Sequence, residues 1–319
     1  MTGSDLRQRP YAPADAAGLA AMFNALEEHV GFPPSSTPGQ LGQYLTTALA
    51  DPERDSTLRL DADGRIVAAG LVIAPPAGGD RVWLFGGVLP DRRAAGVGRE
   101  LLRWQFDRAA RMRGASGADG AWTAHATTPV QDEAAIRLYR RAGMTASRYW
   151  TGMSAPTAGA RPVPLPDGLR ADSYQPGFAR ALYAADTEAF AGHFATQVHD
   201  YERWAARNVE RNTFLPELCV LVFDGDELAG YIVPHRGVDP GTVYIGHLGV
   251  RKPWRRRGLA TCMLKTLLAT AAGAGWHSVR LQVDADNAHG ATGVYERIGF
   301  TATTRTVTYE LAVEMSADD

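Results

Sequence analysis

The chain is short of the features that most quickly betray a protein's class. Cys219 and Cys262 are the only cysteines in 319 residues, and both sit in apolar segments. They read as buried thiols of a reducing compartment, and a disulfide framework is excluded. The eight histidines show no ligand spacing, so no metal is expected. A formal net charge of -2 leaves no global excess of either sign, which argues against nucleic acid or an anionic membrane as partner. Any basic site must then be local. No apolar run approaches the length of a membrane span, and the opening MTGSDLRQRPYAPADA has no signal-peptide core. A cytoplasmic protein is expected.

What is present is organised around LGVRKPWRRRGLATCML, from Leu248 to Leu264. An apolar strand ending at Val250 runs through a basic turn of Arg255, Arg256, Arg257 and Gly258. It then becomes a helix with an Ala260, Met263, Leu264, Leu267, Leu268, Ala271 stripe. A helix starting there points unpaired N–H groups and the positive end of its dipole at the turn, and Gly258 lets a ligand approach the backbone. This is an anion seat, most simply for a pyrophosphate. Neither Gly-x-Gly-x-x-Gly nor Gly-Lys-Ser/Thr occurs at the turn, which disfavours a Rossmann or P-loop nucleotide protein.

The same order of elements occurs twice. Arg255, Gly258 and Ala260 stand 162 positions after Arg93, Gly96 and Gly98, and Tyr295 stands 156 after Tyr139. DADG and DGDE mark a hairpin in each half, and SAPTAGARPVPLPD, rich in Pro and Ala, lies between them. The expected layout is an N-terminal domain at 1–153, a semi-extended linker at 154–167 and a C-terminal domain at 168–319. An isolated Arg-x-x-Gly-x-Gly/Ala match is weak in a chain this rich in Arg and Gly. Two copies, each after a strand ending in Gly-Val and each before a Tyr-containing helix, are specific.

With these residues the chain resembles the GNAT superfamily of acyl-CoA-dependent N-acyltransferases, and the resemblance covers nearly all of it. RRRGLA and RRAAGVG look like that family's pyrophosphate turn, and VDADNAHGATGVYERIGF looks like its second motif. The duplicated layout is similar to the tandem subgroup that includes mycothiol synthase. The implied fold is α+β: two tandem domains, each a mixed, mostly antiparallel sheet flanked by helices. Two central strands are splayed around the pantetheine arm. The implied reaction moves an acetyl group from acetyl-CoA to a primary amine, with no metal.

On this resemblance Leu248, Gly249 and Val250 offer backbone groups to the pantetheine amides. The turn from Arg255 through Arg256, Arg257, Gly258 and Leu259 to Ala260 holds the pyrophosphate, with Arg side chains reaching phosphate oxygens. Asn287 matches the second motif. In the first copy Val88, Arg93, Gly96, Val97 and Gly98 stand in the corresponding places, but Gln131 replaces the Asn and the strand RVWLFGGV carries no acid and no His. The C-terminal domain is therefore expected to be the catalytic one. Tyr295 is the implied acid for the departing thiolate; a core Tyr with a satisfied hydroxyl is the blander reading.

The base is open. Many family members carry Glu six positions before the residue matching Val250, where this chain has Tyr244. Histidine is the side chain whose ordinary chemistry best suits a base near neutrality, which makes His247 a candidate. Tyr244 and His247 are an odd number of residues apart and face opposite sides unless the strand bulges. A buried structural His and a water relayed to a distant carboxylate are the alternatives. The acceptor site is expected in AFAGHFATQVHDYERW, where His193, Phe194, His199, Tyr201 and Trp204 supply aromatic surface. Asp186, Glu188 and Asp200 supply charge for a cationic amine. A small amine fits this composition, as does an ordinary helix pair. A non-catalytic acyl-CoA-binding sensor, as monomer or homodimer like the enzyme, is the alternative from another class.

Overall fold

The computed structural model of the chain describes residues 6–75, 79–117, 120–191, 200–285 and 291–314. It divides into two compact units, residues 1–150 with 305–319 and residues 151–304. The layout departs from the sequence expectation in two places. The segment read as a linker starts inside a strand and is packed: Ala160 and Leu165 lie against the core of the second unit. Thr157 is bonded to the carbonyls of Trp276 and His277. The apolar residues between the segment's prolines give it a surface to lie on. The closing strand, expected in the second domain, gives its residues from 305 onward to the first unit.

In the first unit β1 (Arg7–Arg9) precedes α1 (Ala16–His29), α2 (Pro38–Ala48) and a short α3 (Pro52–Asp55). An antiparallel meander of β2 (Ser56–Leu60), β3 (Ile66–Ile73) and β4 (Arg81–Val88) follows. Then α4 (Val97–Ser116) leads to β5 (Trp122–Pro129), α5 (Glu133–Arg141) and the start of β6 (Thr145–Pro156). The β3 sequence IVAAGLVI is buried along its whole length, as a strand covered on both faces must be. Leu19, Met22 and Leu45 of α1 and α2 cover one face, and Leu101 and Leu102 of α4 cover the other.

The second unit repeats the order. β7 (Leu169–Asp172) precedes α6 (Ala179–Phe190), α7 (Tyr201–Asn208) and the antiparallel β8 (Val220–Asp224), β9 (Glu227–Arg236) and β10 (Thr242–Val250). α8 (Leu259–Gly273), β11 (Ser278–Asp284), α9 (Ala291–Ile298) and the start of β12 (Thr301–Val313) complete it. α8 presents the stripe read from sequence: Met263, Leu264, Leu267 and Ala271 are fully buried against Val243, Ile245 and Val279. Leu182 and Ala185 of α6 and Trp204 of α7 cover the opposite face, over Leu221, Tyr231 and Val233.

One feature of each sheet creates room for a ligand. The parallel strands β10 and β11 pair only from Thr242↔Ser278 to Tyr244↔Arg280, yet β10 continues to Val250 and β11 to Asp284. Beyond Tyr244 the two strands part. The first unit does the same, with β4 and β5 paired only from Arg81↔Thr123 to Trp83↔His125. An open wedge with backbone polar groups along its sides offers donors and acceptors to an extended polar chain laid between the strands.

Candidate active site

At the mouth of the second wedge, the turn between β10 and α8 has an unusual backbone. Arg256 lies at φ 62° and Gly258, the N-cap of α8, at φ 78°. The first unit repeats both values in kind, with Ala94 at φ 66° and Gly96 at φ 87°. A side chain in the left-handed region costs about 1 kcal/mol or more, and such strain persists where the surroundings over-determine it. Gly258 has no side-chain cap, and the first intrahelical bond runs from the Cys262 N–H to the Gly258 carbonyl at 3.1 Å. The N–H groups of Leu259, Ala260 and Thr261 therefore have no acceptor within the helix, the condition under which a helix start can receive an anion.

The arginines divide their work. Arg255 Nε donates to the Val250 carbonyl at 2.9 Å, as Arg93 Nε does to the Val88 carbonyl at 3.1 Å. The expectation that this first arginine reaches out to phosphate is thus modified: its Nε clasps the strand end and fixes the turn. Arg256 and Arg257 are exposed and carry the free positive charge. In the first unit those two positions are Ala94 and Ala95, and Arg93 is further held by Asp132 through bonds of 3.1 and 3.0 Å. Glu100 stands in the first turn of α4, where its charge meets the helix dipole and opposes a bound anion.

The base question turns on β10. Its register against β9 slips between Ile245 and His247, so Gly246 is an extra residue and the alternation reverses. Val243 and Ile245 pack on the α8 side, and so do Leu248 and Val250. The even and odd positions have exchanged faces. His247 consequently joins Tyr244 on the α6 side, opposite Val233. Pro234, which cannot donate to a ladder, sits opposite Ile245 at the irregularity, where its loss is harmless.

There His247 meets Asp186 of α6, with Nδ1 2.8 Å from Oδ1. Asp186 is buried, yet it also accepts from the Tyr231 hydroxyl at 2.8 Å and from Trp204 Nε1 at 2.8 Å. Burial pushes the carboxyl upward. The His247 bond and charge, with the donations from Trp204 and Tyr231, outweigh it and hold Asp186 below its ordinary value. Asp186 thus stays ionised and can only accept. Gly249 admits the Tyr231 ring, since a Cβ there would lie 2.3 Å from its hydroxyl. His247 is itself half-buried, 32% exposed, with the Phe190 ring 5.3 Å away.

Other expected residues fall as follows. Tyr244 is exposed beside the point where β10 and β11 part. Tyr295 on α9 is partly buried against the core and edge-on to Phe300 at 5.8 Å. Burial raises its phenol above the ordinary value, so it holds its proton at neutral pH. Glu188, expected to attract an amine, is instead paired with Arg251 at 2.6 Å. Asp186 is likewise committed to His247. Tyr201 packs beside Trp204 at 6.4 Å, and Asp200 caps α7 through the Arg203 N–H. Asn287, His193, Phe194 and His199 lie outside the described residues. Among the described residues no cluster of His, Cys, Asp and Glu could hold a metal, and no helix is long and apolar enough to cross a membrane.

His235, paired with Tyr244 across the strands, is buried. Burial, reinforced by the charges of Arg211 and His247, pushes its pKa down to about 3. Between that value and roughly 6.5 the unfolded chain binds a proton that the folded chain does not. Stability therefore falls with falling pH in this window, by about 1.4 kcal/mol per pH unit from this residue alone. A His235→Gln variant should show a flatter dependence of Tm on pH between pH 4 and 6.5 than the wild type.

The first unit has the wedge and the turn but not the dyad. Strand β4 is eight residues to β10's nine and pairs with β3 without a slip. Counted back from the two turns, Phe85 then stands at the position of His247. A sheet with two parallel strands splayed apart and an uncapped helix start at their mouth is the arrangement that the sequence resemblance implies. The chain belongs to the acetyltransferase (GNAT) family, whose pattern residues 179–300 match. It is similar to a mycothiol acetyltransferase of Clavibacter michiganensis subsp. michiganensis, 32% identical over 243 residues, 75% of this chain and 74% of that one. A GCN5-related N-acetyltransferase from Sphaerobacter thermophilus superposes with a TM-score of 0.82 at 25% identity, covering 100% and 99% of the two chains. A tandem GNAT protein from the clavulanic acid biosynthesis pathway shares the fold, with a TM-score of 0.75 at 18% identity over 98% and 99%. The chain is accordingly an N-acetyltransferase, of a family that takes its acetyl group from acetyl-CoA.

Proposed function

We propose that the second unit acetylates the primary amine of a small cytoplasmic molecule. The reading is carried by the bulge in β10, which brings His247 onto the face of Asp186 beside the wedge. The fit to acetyl-CoA rests on the strained, uncapped start of α8, whose free N–H groups and exposed Arg256 and Arg257 suit a pyrophosphate. Leu248, Gly249 and Val250 border the wedge where β10 has left β11. Acetyl-CoA supplies the thioester when bound. His247 Nε2 takes a proton from the attacking amine, and the Tyr295 hydroxyl gives one to the departing sulfur. Tyr244, on the same face as His247, borders the acceptor's path and occupies the place of the family's usual Glu. A relative named for mycothiol supports a small acceptor over a protein tail.

The first unit keeps Val88, Gly96, Val97 and Gly98 around its turn but carries Phe85 in place of His247 and Ala94 and Ala95 in place of the two outer arginines, so turnover is assigned to the second. Acetyl-CoA incubated with a panel of small amines should release free thiol only when an accepted amine is present. Tyr295→Phe should reduce that release about tenfold or more. Binding of acetyl-CoA with no amine-dependent release would favour the non-catalytic sensor instead.

A further inference from the structure

We infer that Asp186 is the positioning residue that makes His247 a base at one particular nitrogen, an inference that rests on the acetyl-transfer reading above. Four elements converge on this carboxylate. It comes from α6, and donors reach it from α7 (Trp204 Nε1, 2.8 Å), β9 (Tyr231 hydroxyl, 2.8 Å) and β10 (His247 Nδ1, 2.8 Å). Trp204 can only donate, so the oxygen facing it must accept. Asp186 is 5% exposed, and the donations it receives favour its ionised form.

An ionised acceptor at Nδ1 fixes the His247 proton there. The lone pair is then on Nε2, the nitrogen turned away from Asp186. When the amine nitrogen bonds to the acetyl carbon, its proton passes to Nε2. The C–S bond breaks and the sulfur takes its proton from Tyr295. Asp186 keeps its charge throughout and stabilises the imidazolium, as the buried carboxylate of a hydrolase triad does. Tyr231 and Trp204 anchor the two oxygens of the carboxylate, and the bare Gly249 leaves space for the Tyr231 ring. The family's single carboxylate base is replaced in this chain by a two-residue device drawn from a helix and a bulged strand.

Asp186→Asn tests the assignment. With its oxygen turned to Trp204, the amide NH2 faces His247 Nδ1 and drives the imidazole into the other tautomer, with the proton on Nε2. We expect 15N NMR of histidine-labelled protein to show Nδ1–H at His247 in the wild type and Nε2–H in Asp186→Asn. We further expect kcat to fall about 10²- to 10⁴-fold while the Kd for acetyl-CoA stays within about twofold. Tyr231→Phe and Trp204→Phe, which leave the carboxylate in place, should keep the Nδ1–H signature and lose less than about tenfold in kcat. An Nε2–H wild type overturns the inference without recourse to any variant, so misfolding of Asp186→Asn does not shelter it. Full kcat in a folded Asp186→Asn with the switched tautomer overturns it as well. A wild type that shows Nδ1–H but no amine-dependent thiol release overturns the acetyl-transfer reading instead, which separates the two failures.

Discussion

Replacing His247 by Gln is expected to lower kcat for acetyl transfer by about 10²- to 10⁴-fold, the range for loss of a positioned general base. Acetyl-CoA affinity should be unchanged. Glutamine can still offer an amide to Asp186, 2.8 Å from the imidazole in the wild type, so the buried carboxylate is not orphaned and the fold survives. What disappears is a nitrogen able to accept the amine's proton. Phe85 in the first unit is a natural control: its phenyl ring occupies the corresponding place in an intact sheet. Steady-state kinetics with an accepted amine and calorimetric titration of acetyl-CoA measure the two halves of the expectation. Retention of kcat within about threefold would sink His247 as the base and return the role to a water-relayed carboxylate.

The second large effect concerns the two turns. Gly258→Ala places a methyl group where no protein atom lies within 4 Å, on a backbone at φ 78°. The fold loses about 1–2 kcal/mol through strain alone. The methyl and the altered backbone keep the pyrophosphate from the N–H groups of α8, each such charge-assisted bond contributing about 1.5 kcal/mol or more. Two lost bonds correspond to about 10²-fold in acetyl-CoA affinity and in kcat/KM. Gly96→Ala carries the same strain at φ 87° but should change turnover by less than about threefold. Equal losses from the two variants would refute the assignment of turnover to the second unit.

Much of this site was legible in the chain. The turns at Arg93 and Arg255 announce themselves because a backbone that must bend left-handed before a helix restricts its residues, and the restriction recurs at a fixed spacing. The α8 stripe follows from helical periodicity, and the bulge could be named as a condition for His247 to serve. The partner of His247 was not legible. Asp186 is 61 positions away, and local spacing says nothing about a contact made across a sheet. A quieter signal was there: the strand starts at Arg81 and Thr242 differ by 161 positions, the turns by 162. The odd residue is the bulge. The segment 154–167 was misread because proline reports backbone shape and says little about what Ala160 and Leu165 rest against.

The allocation of β12 has a consequence for the chain as it is made. Residues Thr306 to Val313 pair with β5 from Pro129 to Trp122, so the first unit waits for a strand that follows the whole of the second unit's sequence. At about 5–20 residues per second on the ribosome, that delay is on the order of ten seconds or more. Throughout it the Trp122–Pro129 edge stands without its partner, open to pairing with neighbouring nascent chains. A clone cut after residue 153 would make that condition permanent; the first unit is better expressed with residues 305–319 joined to it, or within the whole chain.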